Sequence, residues 1–399
     1  MTAVPLRVLM VTGAYHPEIS SGGLQSQLMA RAMRGRAEVR VLTTAIDFTT
    51  PKYSTIEGVE VSRMHLRAES IPSKVVAGIT TLPELGRLVR WCDIVHIHGV
   101  STKNILVTAM ARLIGRPIVL SLHTMGADEP AVIRNNSALM HRSFQAATKY
   151  LAVSAGLRDA SLAAGVPGDR IELIPNGIDI DQFKPASLVE KRALRREAGH
   201  DVHGPVILFV GYFSHDKQPR VLFDAWMKLL DHHHIDATVW FVGATKSNYF
   251  EVDERIADRM QDEAVARGRA GQLIFTGPVH EVQRYFRLAD VFVLPSRREG
   301  LPVALMEAMA CGLPCVASRL PGATDTLIDH GVSGLLVPPE DVDAFADAIA
   351  ETLNDPARAA AMGGAARQVV LDRFASETIA ARWLATYEDV LRRSAVDRP

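Results

Sequence analysis

The sequence predicts an α/β protein made of two doubly wound domains in tandem. Three observations carry this: short β-branched runs alternate with helical stretches, the alternation pauses near residue 200 and restarts, and 399 residues with 48% hydrophobic content can fill two cores. The first set of strands is expected at Arg7–Val11, Val39–Thr43, Val59–Arg63, Ile94–His98, Ile118–Leu122, Tyr150–Ser154 and Ile171–Pro175. Amphipathic segments such as Leu24–Met33 and Ile105–Ile114 lie between many of them, which implies βαβ units and a mainly parallel sheet. Asn176-Gly177 closes the last strand, and the polar, Pro-punctuated stretch Phe183–His203 has the character of an interdomain connection. The pattern resumes with Val206–Val210, Thr238–Val242, Leu273–Thr276, Val291–Leu294, Pro314–Ser318 and Gly334–Val337, runs apolar enough for strands covered on both faces. The expected organisation is a first domain over 1–184, a linker over 185–204, a second domain over 205–375 and a C-terminal helix over 376–399. That helix carries Ile379, Trp383, Tyr387 and Val390 on one face, a stripe that must dock and is free to cross back onto the first domain.

Composition narrows the function classes. Lys plus Arg number 44 against 45 Asp plus Glu, so no broad basic surface exists for nucleic acid. Three cysteines form neither a disulfide framework nor a zinc set, and the expected compartment is reducing, hence cytoplasmic. Arg7 interrupts the first apolar run, and no apolar stretch is long enough to span a membrane, so neither a leader nor a membrane helix is expected. The first half is slightly basic and the second slightly acidic. A difference of a few charges usually means only solvated faces, though it also suits a first half that meets an anionic surface.

In open α/β sheets ligands sit beyond the carboxyl ends of the strands, so the residues just after each strand are the informative ones. After the first strand comes the loop Gly13–Gly23, which lacks a GxGxxG fingerprint but ends in Gly22-Gly23 at a helix start, suited to an anion or to a plain flexible turn. Val206–Val210 delivers Gly211, Tyr212 and, at the seventh position, Lys217, a point charge for a diphosphate or a simple surface lysine. The helix Pro302–Cys311 has one polar side chain, Glu307, whose carboxylate needs a partner: ligand hydroxyls, or a buried Arg, Ser or amide. Upstream, Glu299 is a poor neighbour for phosphate and a good one for neutral hydroxyls, while Gly300, Leu301 and Pro302 lead into the helix with free amides. His96, His98 and His123 lie at strand ends, but no carboxylate or thiolate joins them at metal-ligand spacing, and no metal is expected. His232-His233-His234 falls in an expected helix-to-strand loop, and no metal role is expected there.

Taken in order, these blocks resemble the retaining glycosyltransferases of glycosyltransferase family 4, which have the GT-B fold of two facing Rossmann-like domains. The resemblance spans Ser21-Gly22-Gly23, Ile94–Gly99, Leu120–Thr124, Ile174–Phe183, Phe209–Lys217, Thr276–Val279 and Leu294–Ser318, the last holding two glutamates, Glu299 and Glu307, with seven residues between them. It implies that Glu307 binds the ribose hydroxyls of a nucleotide and Glu299 the donor sugar. Amides at Gly300–Pro302 and Gly22-Gly23, with Lys217, are implied to stabilise the departing diphosphate, His123 to touch the transferred sugar, and Val279 to contact the base. The chain departs from the family where Tyr212 replaces an arginine, which leaves Lys217 alone or compensated by Arg297, Arg298 or Arg220. It departs again at Asp325 in a glycine-rich turn and at Thr124 after the histidine.

The implied reaction moves a hexose-type sugar from a nucleoside-diphosphate sugar, UDP or GDP, to a saccharide or lipid-linked saccharide, in envelope or exopolysaccharide assembly, with retention and without metal or other cofactor. Competing readings on the same fold are a sugar phosphorylase, a nucleotide-sugar epimerase, and a catalytically inactive saccharide-binding or scaffold protein. Met29, Arg31, Met33, Arg34, Arg36 and Arg40 suit peripheral contact at the inner face of the cytoplasmic membrane, or a helix that simply faces its own sheet.

Overall fold

The computed structural model describes residues 5–18, 20–67, 71–199, 204–245 and 253–396. The chain divides into two compact units, Met1–Gly177 with Ser376–Pro399, and Ile178–Ala375.

Unit 1 is built on an eight-stranded sheet: β1 (Leu6–Thr12), β2 (Ala37–Ala45), β3 (Tyr53–Ile56), β4 (Val59–His65), β5 (Ile94–His98), β6 (Ile118–Leu122), β7 (Lys149–Ala152) and β8 (Ile171–Leu173), in the order β3-β4-β2-β1-β5-β6-β7-β8. Every pairing is parallel except β3 with β4. Its helices are α1 (Ser21–Ala32), α2 (Ile71–Trp91), α3 (Asn104–Ile114), α4 (Pro130–Asn136), α5 (Ala138–Gln145) and α6 (Ala155–Ala163). The β-branched stretch Val8–Val11 is wholly buried at the sheet centre. The short β3 was not anticipated. It pairs through Glu57-Gly58, both at left-handed φ (49° and 83°), as a two-residue hairpin turn demands, and Glu57 is not a residue that announces such a turn.

Unit 2 carries α7 (Leu188–Glu197), β9 (Val206–Val210), α8 (Pro219–Asp231), β10 (Thr238–Val242), α9 (Glu254–Ala266), β11 (Leu273–Gly277), α10 (Val282–Leu288), β12 (Val291–Leu294), α11 (Val303–Ala310), β13 (Cys315–Ser318), β14 (Leu335–Val337), α12 (Val342–Asn354) and α13 (Pro356–Arg373). Its six strands run parallel in the order β11-β10-β9-β12-β13-β14.

The linker expected over 185–204 is corrected. Residues 188–197 form α7, started by a capping box between Ser187 and Glu190 and held by Lys191 and Arg195 on Asp290 at 3.0 and 2.6 Å. Its polarity comes from ion pairing onto unit 2, which a sequence cannot separate from solvent exposure. Residues 200–203 lie outside the described residues, and the units divide at Gly177/Ile178 instead.

The last helix, α14 (Ser376–Val396), belongs to unit 1, where Ile379, Trp383, Tyr387 and Val390 join the core with Met29 and Met33 of α1. Both methionines are fully buried, and Arg31 and Arg34 hold Glu57 from the same helix end. The residues offered for membrane contact therefore include two that form the core and two that brace the hairpin. Among the described residues, no helix is long and apolar enough to cross a membrane.

Candidate active site

Strand order locates the chemistry in each unit. In unit 2 the chain winds outward from β9 through β10 to β11, and then from β12 through β13 to β14 on the other side, so the order reverses between β9 and β12. The loops after those two strands splay apart at such a switch point and leave room for a ligand.

Both loops carry predicted residues, and the structure joins them. Lys217 Nζ donates to both carboxylate oxygens of Glu299, at 2.7 and 2.9 Å, with the glutamate side chain 7% exposed and the lysine 30%. The loops are stitched further by the Arg297 amide on the Asp216 carbonyl at 2.8 Å, and by Arg297 and Arg298 on the Asp216 carboxylate at 3.2 and 2.6 Å. Arg220 faces another way, onto Asp224 and Glu263 at 2.7 Å each. All three arginines weighed as substitutes at Tyr212 are thus already committed to carboxylates. Tyr212 itself is 42% exposed beside Gly211.

Gly211, Gly243 and Gly277 end β9, β10 and β11 in a row. Gly243 sits at φ 136°, and a Cβ there would lie 2.2 Å from the Gly211 carbonyl oxygen, so only glycine permits this approach. Val279 follows in the loop after β11, half-buried.

Pro302 takes the N-cap position of α11, with Gly300 and the buried Leu301 leading into it, so the helix opens at the end of the β12 loop with its first amides free of intrahelical partners. One turn in, Glu307 is half-buried among Leu305, Met306, Ala308 and Met309, and burial pushes its carboxyl up to about 8. No Arg, Ser or amide among the described residues meets that carboxylate, so of the partners left open by the sequence the internal ones are absent. Ser296 and Ser318, just beyond β12 and at the end of β13, are fully buried with hydroxyls that find no partner among the described residues. Sequence reasoning did not single them out.

In unit 1 the reversal falls between β1 and β5. The paired glycines start α1 there. A Cβ on Gly22 would lie 3.3 Å from His98 Cβ, 3.6 Å from Thr12 Oγ1 and 3.9 Å from His123 Cδ2; one on Gly23 would strike the Ala14 carbonyl oxygen at 2.1 Å. Gly22, Gly23 and His123 thus converge. His98 Nδ1 and His123 Nε2 share a hydrogen bond at 3.2 Å, and His96 bonds Tyr387 Oη at 2.6 Å and Ser121 Oγ at 2.7 Å. Burial drives His96 down to about 3 and His98 well below the usual imidazole range, so both rings are neutral. Burial also lowers His123, against the opposing pull of Asp128 and nearby Asn176. Trp383 of α14 packs on both His96 and His98, with ring centroids at 4.6 and 5.4 Å. Among the described residues no three His, Cys, Asp or Glu side chains group to hold a metal.

Asp128 is the residue the sequence reading passed over. Only 4% exposed, it accepts the amides of His123 and Thr124 on Oδ2 at 2.7 and 3.0 Å and that of Val100 on Oδ1 at 2.9 Å. It fixes the backbone that presents His123, a side-chain-to-backbone habit of aspartates in loops that was available as a signal.

Two units of mainly parallel sheet, with a cation and acids at one switch point and a glycine-led helix with a histidine at the other, fit the GT-B fold class. Comparison with known proteins makes the assignment specific. Residues 22–177 match the glycosyl transferase 4-like domain and residues 204–355 match glycosyl transferases group 1. The chain is 31% identical over 391 residues to the GDP-mannose-dependent alpha-(1-6)-phosphatidylinositol monomannoside mannosyltransferase of Mycolicibacterium smegmatis, covering 94% of this chain and 96% of that one. It is 31% identical over 285 residues to a D-inositol 3-phosphate glycosyltransferase of Pseudarthrobacter chlorophenolicus, covering 69% and 65%. In fold it is similar to Anabaena HepE, solved with UDP and glucose, at a TM-score of 0.77 and 20% identity over 96% of this chain and 100% of that one. Sucrose-phosphate synthase of Thermosynechococcus elongatus gives a TM-score of 0.75 at 22% identity, over 97% and 100%. The chain belongs to glycosyltransferase family 4 and is a glycosyltransferase.

Proposed function

We propose that this enzyme moves a hexose-type sugar from a nucleoside-diphosphate sugar to a saccharide or lipid-linked saccharide acceptor, with net retention and without a metal, at the inner face of the cytoplasmic membrane in envelope or exopolysaccharide assembly. The observation that carries the donor reading is the Lys217–Glu299 pair at the unit 2 switch point, in the unit whose helix α11 carries Glu307, a carboxyl that meets no partner among the described residues. Ribose hydroxyls would supply the donors Glu307 lacks. A diphosphate would draw Lys217 from Glu299, which frees that carboxylate to accept from sugar hydroxyls. The curated relatives named above use GDP-mannose or act on an inositol phosphate, which supports a nucleotide-sugar donor and a phosphate-bearing or lipid-linked acceptor.

The catalytic task is to stabilise negative charge as it develops on the leaving diphosphate. Preorganised donors at Lys217 and at the start of α11 would each contribute roughly 3 kcal/mol by analogy with oxyanion-hole deletions. His123 would contact the sugar, Val279 the base, and the leaving phosphate would take the acceptor's proton in a front-face displacement.

A thermal-shift panel of UDP, GDP and ADP with their sugars tests the donor, because a tight ligand raises the melting point by mass action. Release of nucleoside diphosphate only with an acceptor extract supports transfer. Nucleotide loss without acceptor points to an epimerase, phosphate-dependent cleavage to a phosphorylase, and no shift from any nucleotide to an inactive saccharide binder.

A further inference from the structure

Lys103 lies in the loop after β5, across the unit 1 switch point from the end of β1. Its Nζ donates to the carbonyl oxygen of Thr12, the last residue of β1. An ammonium has three donors, so two remain. Among the described residues no Asp or Glu meets it; the charged or polar ring that feels it is His98, itself bonded to His123.

The loop that holds Lys103 is tightly built. The Asn104 side-chain amide donates to the Gly99 carbonyl at 2.9 Å, the Asn104 backbone amide to Ser101 at 3.0 Å, and the Val100 amide to buried Asp128 at 2.9 Å. A long, rotamer-rich side chain at the mouth of a loop ordinarily extends its charge into water. This one turns inward, toward Thr12, whose Oγ1 would lie 3.6 Å from a Cβ on Gly22. Tying one carbonyl needs only a neutral donor; a half-buried ammonium with no carboxylate partner among the described residues costs more than that tie returns. Burial alone pulls it down to about 7. A group placed this way is completed by an anion that arrives with a substrate.

We infer that Lys103 is a substrate-binding cation of unit 1, which receives a phosphate-class oxyanion carried either by the acceptor or by the donor diphosphate. The inference rests on the sugar-transfer reading only for what carries the anion. It adds to that reading a positive contact in the unit that lacks Lys217, and predicts that a phosphate-class oxyanion is held by unit 1 through charge as well as through helix amides.

The test uses the full chain as wild type, Lys103→Met and Lys103→Arg. UDP and GDP are titrated first by calorimetry, then inorganic phosphate is titrated with the tighter nucleotide saturating, and the melting point of each ligand-free variant is recorded. The expected result is at least a tenfold loss of affinity in Lys103→Met for one of the two anions, largely restored in Lys103→Arg, with ligand-free melting points within a few degrees of wild type. Loss in the nucleotide arm assigns the oxyanion to the donor; loss in the phosphate arm assigns it to the acceptor. Equal affinities for both anions in wild type and Lys103→Met, or a wild type that takes no phosphate and a nucleotide affinity indifferent to Lys103, overturns the inference and leaves Lys103 a tie between β1 and the β5 loop. Should neither nucleotide bind wild type, the donor reading fails, while phosphate binding lost in Lys103→Met still supports a cation site in unit 1.

Discussion

The two switch points are built from the same topology and solve the charge problem differently. In unit 2 the lysine after β9 is neutralised within the protein by Glu299, and the loops are laced by further ion pairs through Asp216. In unit 1 the lysine after β5 rests on a carbonyl, and its neighbours are imidazoles kept neutral by burial. The contrast teaches that one lysine meets a counter-charge within its own unit, while the other meets a carbonyl and no carboxylate among the described residues. It also assigns different vulnerabilities: the unit 1 histidines depend on packing against Trp383, the unit 2 loops on ion pairing.

The largest effect expected is therefore on packing in unit 1. Trp383→Ala removes the ring that covers His96 and His98 and should cost about 3–5 kcal/mol in denaturant unfolding. If the contrast holds, nucleotide affinity in the surviving folded fraction falls by much less than in a variant of the unit 2 switch point such as Lys217→Ala.

Lys217→Ala should lower turnover by roughly 100-fold or more. It also strands Glu299, 7% exposed, without its cation, so a drop in melting point is expected that Glu299→Gln added to the same chain repairs. Turnover should stay low in the double variant. Recovery of both together would mean the pair is structural.

Asp128→Ala should cost about 1–3 kcal/mol, since three backbone amides lose their buried acceptor. Turnover should fall with KM for the donor nearly constant if Asp128 acts by positioning His123.

The smallest effect concerns pH. Glu307 is raised to about 8 in the folded chain, so between its ordinary carboxyl range and pH 8 the folded state holds a proton the unfolded state has lost. Stability is then fully present below the unfolded value and declines as pH rises toward 8. Glu307→Gln should flatten that slope by roughly 1–2 kcal/mol, after discounting for the part of the side chain that reaches solvent. An unchanged slope in urea melts at pH 5 and pH 8 would show that Glu307 ionises freely.

Much of the fold was legible because buried parallel strands write themselves as apolar β-branched runs: Ile94–His98, Ile118–Leu122, Val206–Val210, Thr238–Val242 and Val291–Leu294 appear in the structure with the expected ends. What escaped was structure held by charge or by turn geometry. The α7 helix packs through Lys191 and Arg195 rather than an apolar stripe, and β3 is a four-residue edge strand whose side chains alternate only between exposed and half-buried. At the site, residue type and loop position pointed to Lys217, Glu299 and Glu307, but which charge meets which depends on strand order, and strand order is set by long-range pairing. Lys103 and Asp128 remained unread for the same reason: their partners, Thr12, Val100 and His123, lie on other strands or loops.

The most direct test of the account is calorimetric titration of UDP and GDP into the full chain, with Lys217→Ala and Glu307→Gln measured alongside. At least one nucleotide is expected to bind wild type, and both substitutions to weaken it, each by about tenfold or more. A nucleotide that binds wild type and both variants with equal affinity would contradict it, because the ligand would then lie away from the β9–β12 switch point.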